Sequence, residues 1–390
     1  MKKLSIFFMM VVLISIFSSC SVDQPVTYTR EDLSQYTTSN SFVFGNDIIV
    51  TIDTPSSGGS KFFLISPYTD IVFPLCFDPV CNHISDDCPS VMLSGNTLFN
   101  YTCDSQYMYY AYNTQTNDNM NATKILQVDL STASRKEIVD LDNRVFGLKY
   151  VSDYLYFIEN NADTSNQICR FDLKSHQLDV ILNGADSQDF YDLFCVYNNV
   201  IYYLRSEHDG LYEYNIKTDT TRCISDVYVS DIFLNQSRIF LSCIVNDQHY
   251  TKVYDIQTET SYDLVVEGNY LYGVLCVIGD TLYYAMSETI PFSMPQDAQL
   301  LEILGDEASR HAFSDRFYSN TNIYEYDLKS GSNKLVGSFD KHTIYTMQIF
   351  NGRLYIKGNR ANDLGNGYIS LEDFSGYIDL SKKELKYIKY

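Results

Sequence analysis

The feature that most restricts the fold is a short pattern that recurs along the chain. An apolar residue is followed by two further positions, a second apolar residue, Asp or Asn, and then Leu or Ile. It reads clearly at Ile125–Leu130, Ile168–Leu173, Leu211–Ile216 and Ile323–Leu328, with looser copies ending at Asp255-Ile256 and Asp379-Leu380. The Asp/Asn positions 129, 172, 215, 255, 327 and 379 are spaced by 43, 43, 40, 72 and 52 residues. Upstream of each lies an aromatic or apolar pair: Tyr109-Tyr110, Tyr156-Phe157, Tyr202-Tyr203, Phe240-Leu241, Tyr283-Tyr284 and Tyr355-Ile356. Turn residues such as Asn198-Asn199, Gly279-Asp280 and Asn351-Gly352 precede these pairs, and a polar turn and one more short strand follow each Asp. Each unit is therefore four short antiparallel strands, A to D. Four strands in about 40–45 residues is the signature of a propeller blade. Residues 41–75 supply a weaker seventh unit, with strands at Phe42–Phe44, Ile48–Ile52, Phe62–Ile65 and Ile71–Leu75. The expected fold is all-β, a seven-bladed β-propeller over residues 41–390; six or eight blades would also accommodate the repeat. Both terminal blades carry four strands of their own, which leaves the closure of the ring open.

The N-terminus reads as an export signal. Lys2 and Lys3 precede an apolar run from Leu4 to Phe17, then Ser18, Ser19 and Cys20. A basic start, an apolar stretch of about 14 residues and small residues before a cleavage point define a secretory signal. The run is short for a membrane span, which needs about 20 residues. Cys20 after two small residues resembles the lipobox of bacterial lipoproteins, in which this cysteine is acylated and becomes the new N-terminus; Phe17 stands where that family usually has Leu. An ordinary signal cut near Ser19 is the alternative. Residues 1–20 are thus expected to be a lipoprotein signal peptide and 21–40 a polar tether. The protein would then sit on the outer face of the cell membrane, anchored through Cys20.

Charge narrows the partners. A formal net charge of −21 excludes nucleic acid as an expected ligand, because phosphate binding needs basic stripes. The chain has 34 Tyr and no Trp, a composition suited to strands. It has 10 Cys; setting Cys20 aside leaves an odd number, so complete intramolecular pairing is impossible. Cys195, Cys243 and Cys276 fall in apolar strand patterns, where buried thiols are expected.

Strand parity assigns the insertions to one end of the disc. The additions in blades 2, 6 and 7 all fall between strands B and C, and the cysteine-rich stretch 76–95 reads as a link from blade 1 to blade 2. Long elaborations on a rigid scaffold are where function usually resides. The blade 6 insertion, 287–321, includes Gln296–Phe313, which the pattern predicts as a short helix. The same end collects Asp78, Asp86, Asp87, Glu288, Asp363, Glu372 and Asp373, while Arg135, Lys136, Lys174, Lys217, Lys329, Lys334, Lys382 and Lys383 fall on the C–D side. Such a separation would steer cationic ligands.

Cys76, Cys81, His83 and Cys88 form C-x4-C-x-H-x4-C. Three thiols and an imidazole can complete a tetrahedral zinc ion, although the spacing is not a standard one. In an exported chain a disulfide competes, with Cys103 as a candidate partner. A disulfide staple, a structural zinc as a candidate cofactor, and free thiols are the three readings of the cluster; no catalytic role is expected for these thiols. The stretch from Pro74 to His83, then Cys88-Pro89, together with the lipobox and the aromatic repeats, resembles β-propeller lipoproteins of anaerobic Gram-positive bacteria. That resemblance spans nearly the whole mature chain and implies architecture and location, not an activity. The repeats are more remotely similar to propellers of low-density-lipoprotein-type receptors, whose Tyr-Trp-Thr-Asp signature is absent here.

No phosphate loop, nucleophile elbow, H-E-x-x-H or EF-hand loop occurs. The six histidines are scattered, with His342 read as flanking blade 6, and Asn113–Asn121 reads as a plain polar loop. No catalytic residue can be singled out. The expected function is a monomeric extracellular binding module for a protein, peptide or glycan. The alternatives are a hydrolase or lyase at the channel mouth, and a structural or sensory subunit of an envelope complex.

Overall fold

The computed structural model describes residues 35–36, 42–44, 49–53 and 60–389, less 67, 70, 94–99, 116–120, 161–165, 184–190, 206–209, 247, 267–268, 271–274, 292–316 and 366–367. The described residues are all strand, turn and irregular structure; seven sheets in a ring are each built on four consecutive strands, one of them joined by a fifth, and a small two-stranded sheet pairs Val265–Val266 with Asn269–Tyr270. Blade 1 comprises Phe42–Phe44, Ile49–Asp53, Lys61–Ile65 and Val72–Pro74. Blade 2 comprises Tyr101–Cys103, Tyr107–Gln115, Asn121–Asp129 and Arg135–Leu141. Blade 3 comprises Arg144–Val151, Tyr154–Asn160, Gln167–Asp172 and Leu178–Asn183. Blade 4 comprises Tyr191–Tyr197, Val200–Arg205, Leu211–Asn215 and Thr220–Ser225. Blade 5 comprises Val229–Asn235, Arg238–Val245, Gln248–Asp255 and Thr260–Asp263. Blade 6 comprises Leu275–Ile278, Thr281–Pro291, Phe317–Asp327 and Asn333–Phe339. Blade 7 comprises His342–Phe350, Arg353–Gly365, Tyr368–Asp379 and Glu384–Tyr387. His342 thus opens the inner strand of blade 7 and does not belong to blade 6. Among the described residues, no helix is long and apolar enough to cross a membrane.

The recurring Asp or Asn is a turn device. At Asp129, Asp172, Asn215, Asp255, Asp327 and Asp379 the side-chain Oδ1 accepts the backbone N–H groups two and three residues on. This is an Asx turn, which a short acceptor side chain favours. The residue four positions on is left-handed in all six: Ala133, His176, Asp219, Glu259, Gly331 and Lys383. The Leu or Ile that follows the Asp donates its N–H back to the A–B turn, as Leu173 does to Asp153 and Leu328 to Asp280. One hexapeptide pattern therefore closes the C–D hairpin and ties it to the A–B turn beside it.

The doubled aromatics follow from strand pleating, which sends successive side chains to opposite faces. Tyr110 packs toward blade 1 with Phe62 and Tyr101, whereas Tyr109 packs toward blade 3 with Val145 and Phe157. The same alternation holds for Tyr202 and Tyr203, and for Tyr283 and Tyr284. The core is therefore seven interblade seams, not one centre. Among the described residues the seam between blades 7 and 1 is the smallest, with Ile65, Phe350, Tyr355 and Tyr377 buried and Val72 and Ile388 beside them. Among the described residues no strand is exchanged there, and the two blades meet on side chains.

Two features depart from the sequence pattern. The described parts of the B–C additions are strand: hairpin pairing continues to Gln115 opposite Asn121 in blade 2, to Pro291 opposite Phe317 in blade 6 and to Gly365 opposite Tyr368 in blade 7. The helix expected at Gln296–Phe313 lies outside the described residues. In addition, Gln35–Tyr36, within the expected tether, pairs antiparallel with Phe233 and Leu234 of blade 5. The partner is the inner strand of that blade, so this segment lies on the channel side of the ring.

Candidate metal centre

The cysteine-rich stretch is not a span between blades. Strand D of blade 1 pairs Val72, Phe73 and Pro74 with Ile65, Leu64 and Phe63, and Leu75 donates to the Phe62 carbonyl. Pairing with the same strand then resumes far downstream. Phe62 donates to Ser90, Val91 bridges Lys61, and Met92 donates to Ser60. Residues 76–89 are thus an excursion out of the blade's edge strand, which leaves after Leu75 and returns at Ser90.

Local chemistry folds the excursion back on itself. Asp78 Oδ1 accepts from Val80 N–H at 3.0 Å, and the Asp78 carbonyl accepts from Cys81 N–H at 3.2 Å. His83 takes a left-handed φ of 54°, uncommon for a residue with a Cβ. Asn82 and Ser85 each cap a backbone N–H two residues on, and Cys88 donates to the Ser85 carbonyl. These turns bring Cys76, Cys81, His83 and Cys88 together: one donor atom from each lies within 4.8 Å of the other three. Cys76, Cys81 and Cys88 are unbridged thiols. Cys103, the partner considered for a disulfide, is not among these donors; it is buried in the seam between blades 1 and 2.

The electrostatics differ among the sulfurs. Burial pushes the Cys76 thiol up to about 11, helped by the neighbouring Cys88 and Cys81. Burial acts in the same direction on Cys88, but hydrogen bonds from Ser90 and His83 outweigh it and draw that thiol down to about 6. The Ser90 hydroxyl lies 3.0 Å and His83 Nδ1 3.5 Å from the Cys88 sulfur, and His83 N–H donates to the Cys81 sulfur at 3.4 Å. The cluster thus sets hydrogen-bonding groups beside the Cys88 and Cys81 sulfurs.

Beyond the four candidate donors, the excursion docks on the neighbouring blade. The Arg135 guanidinium donates to the Asp86 carbonyl and to the Tyr110 hydroxyl. Arg135 opens the outer strand of blade 2 at the C–D end, so Asp86 belongs to the rim between blades 1 and 2 and not to the insertion-bearing end. The expected charge separation is also modified. Lys174 pairs with Asp153, Lys329 with Asp280 and Lys382 with Asp379, and the turn-heading aspartates share that end. Part of the positive charge at the C–D end is therefore ion-paired. Of the expected acidic group, Glu288, Glu372 and Asp373 are exposed on the blade 6 and 7 hairpins, with Glu372 held by Arg360 at 2.6 Å. Cys20 lies outside the described residues.

Neither a family model nor a curated protein matches the sequence. Solved structures do resemble the fold. The propeller domain of the Trilobed protease from Pyrococcus furiosus, described as having an open velcro topology, aligns with a TM-score of 0.52 at 10% identity over 93% of this chain and 97% of that one. A puromycin-hydrolyzing peptidase of Mycobacterium tuberculosis aligns at 0.54 and 9% identity, over 92% of this chain and 54% of that one. An oligogalacturonate lyase from Vibrio parahaemolyticus aligns at 0.50 and 11% identity over 88% and 91%. The chain spans about half the length of the peptidase, and at these identities the likeness concerns architecture alone. What the chain shares with all three is a β-propeller.

Proposed function

We propose that the protein is an exported, lipid-anchored binding propeller that presents its hairpin-bearing end away from the membrane. The observation that carries this reading is the direction of Gln35–Tyr36. Val229–Asn235 of blade 5 runs from the hairpin-bearing end toward the A–B turn at Gln236, and its antiparallel partner runs the opposite way. At Tyr36 the chain is therefore heading toward the hairpin-bearing end and enters Gln35 from the C–D side, which in this reading faces the membrane. The extended hairpins of blades 2, 6 and 7 then project outward, where a protein, peptide or glycan could reach them. Rigid strands that carry variable tips suit a recognition surface.

Two measurements test this. Incorporation of labelled fatty acid should require Cys20 and vanish in Cys20→Ser. On vesicles, a fluorophore at Ser330 in a C–D turn should be quenched by a headgroup quencher more strongly than one at Glu288. Equal quenching, or the reverse order, would refute the orientation, and a membrane-bound Cys20→Ser would refute the anchor.

A further inference from the structure

We propose that Cys76, Cys81, His83 and Cys88 bind one zinc ion in a closed, structural site that clasps the base of the excursion. This inference does not rest on the binding function above. Geometry carries it first. With Zn–S of about 2.3 Å and Zn–N of about 2.0 Å, a tetrahedron has S–S edges of about 3.8 Å and S–N edges of about 3.5 Å. The four donors lie within 4.8 Å of one another, and the His83 Nδ1 to Cys88 sulfur distance is 3.5 Å. A single disulfide would use two of the three sulfurs and leave the third and the imidazole unexplained.

The position of the ligands is the second argument. Cys76 follows Leu75, the last residue paired before the excursion, and Cys88 stands two residues before Ser90, the first paired after it. Coordination would join the two ends of the loop and pull its middle, through Cys81 and His83, onto the same point. Packing does not do this, since Val80 is 88% and Ile84 70% exposed. A segment without a core of its own is held by a metal or a cross-link. The N–H of His83 on Cys81 and the Ser90 hydroxyl on Cys88 are the outer hydrogen bonds that orient thiolate ligands. With three thiolates and one neutral imidazole, no coordination position is left for substrate. Binding releases the thiol protons to water and moves no electrons.

The test uses the full-length protein purified under reducing conditions, with zinc alone as the probe. Metal analysis should find one zinc per chain, and cobalt(II) substitution should give thiolate charge-transfer absorption. Cys81→Ser and His83→Ala should each lose that equivalent, whereas Cys243→Ser, buried between blades 4 and 5, should keep it. Should the ligand variants not fold, the wild type decides: Cys76, Cys81 and Cys88 should resist alkylation until a chelator is added. A wild type that takes up no zinc, or a disulfide joining two of these three cysteines, would overturn the proposal.

Discussion

Replacing Ile65 with Ala should loosen the ring where it closes. Ile65 is 1% exposed and is the buried side chain that blade 1 contributes against Phe350, Tyr355 and Tyr377. Truncating a buried Ile removes three carbons and leaves a cavity, at a cost of about 3 kcal/mol within the usual 2–5 kcal/mol. Ile158, fully buried between blades 3 and 4, offers a matched control in a larger seam. Both variants should lose similar global stability in urea. They should differ locally, because neighbouring blades around the seam at Ile158 are also covalently consecutive, while the described residues of blades 7 and 1 meet through side chains. Hydrogen exchange should therefore show the amides of Lys61–Ile65 opening at lower free energy than the rest of the ring in Ile65→Ala, with no such selective opening in Ile158→Ala. Uniform protection across all blades in Ile65→Ala would refute the idea that the seam is a separate, weaker junction.

Other outcomes follow from single residues. Gly358 faces the bulge between Ile344 and Thr346, and an added Cβ would sit 1.9 Å from the Thr343 carbonyl oxygen; Gly358→Ala should cost about 1–3 kcal/mol in denaturant unfolding, or more if the strands cannot part. Hydrogen bonding from the Ser381 hydroxyl and nearby N–H groups holds the Asp379 carboxyl below its usual range. Its stabilisation is present above the unfolded carboxylate pKa of about 3.9 and is lost as pH falls through the lower folded value, so Asp379→Asn should flatten the acid limb of a thermal-melt profile. Lys149 is buried beside the Phe194 ring, and burial pulls its ammonium down to about 8. Between pH 8 and about 10 the unfolded chain binds the extra proton, so stability should rise with pH there; Lys149→Met should abolish that rise and stabilise the protein at neutral pH by up to about 3 kcal/mol.

Much of the architecture is legible in the sequence because the blade is a local object. The Asp-Leu hexapeptide marks one hairpin, and the doubled aromatic marks the strand that faces two seams at once. Both signals depend on neighbours in sequence, so they survive without knowledge of the ring. What the pattern could not reveal depends on distant pairing. Nothing local states that Val91 resumes the partnership with Lys61, so residues 76–89 read as a link and not as an excursion. Nothing in Gln35-Tyr36 announces a partner about 200 residues away. The four candidate ligands were visible from residue type alone, but their convergence depends on the turns at Asp78 and His83, which spacing does not encode.

The self-contained blade also has a kinetic meaning. Every four-strand sheet pairs consecutive segments, so each blade can form as soon as its own 40 or so residues are available, with little loop-closure entropy to overcome. Among the described residues, two events join distant parts of the chain: Gln35–Tyr36 meeting blade 5, and Ile65 meeting Tyr377. A chain delivered N-terminus first would therefore assemble as a growing row of blades, with its first inner strand waiting for the fifth blade. The row would become a ring only when the last blade arrives. Until then blade 1 would expose its Ile65 face to whatever else is nearby, so the moment of greatest vulnerability to aggregation falls just before completion.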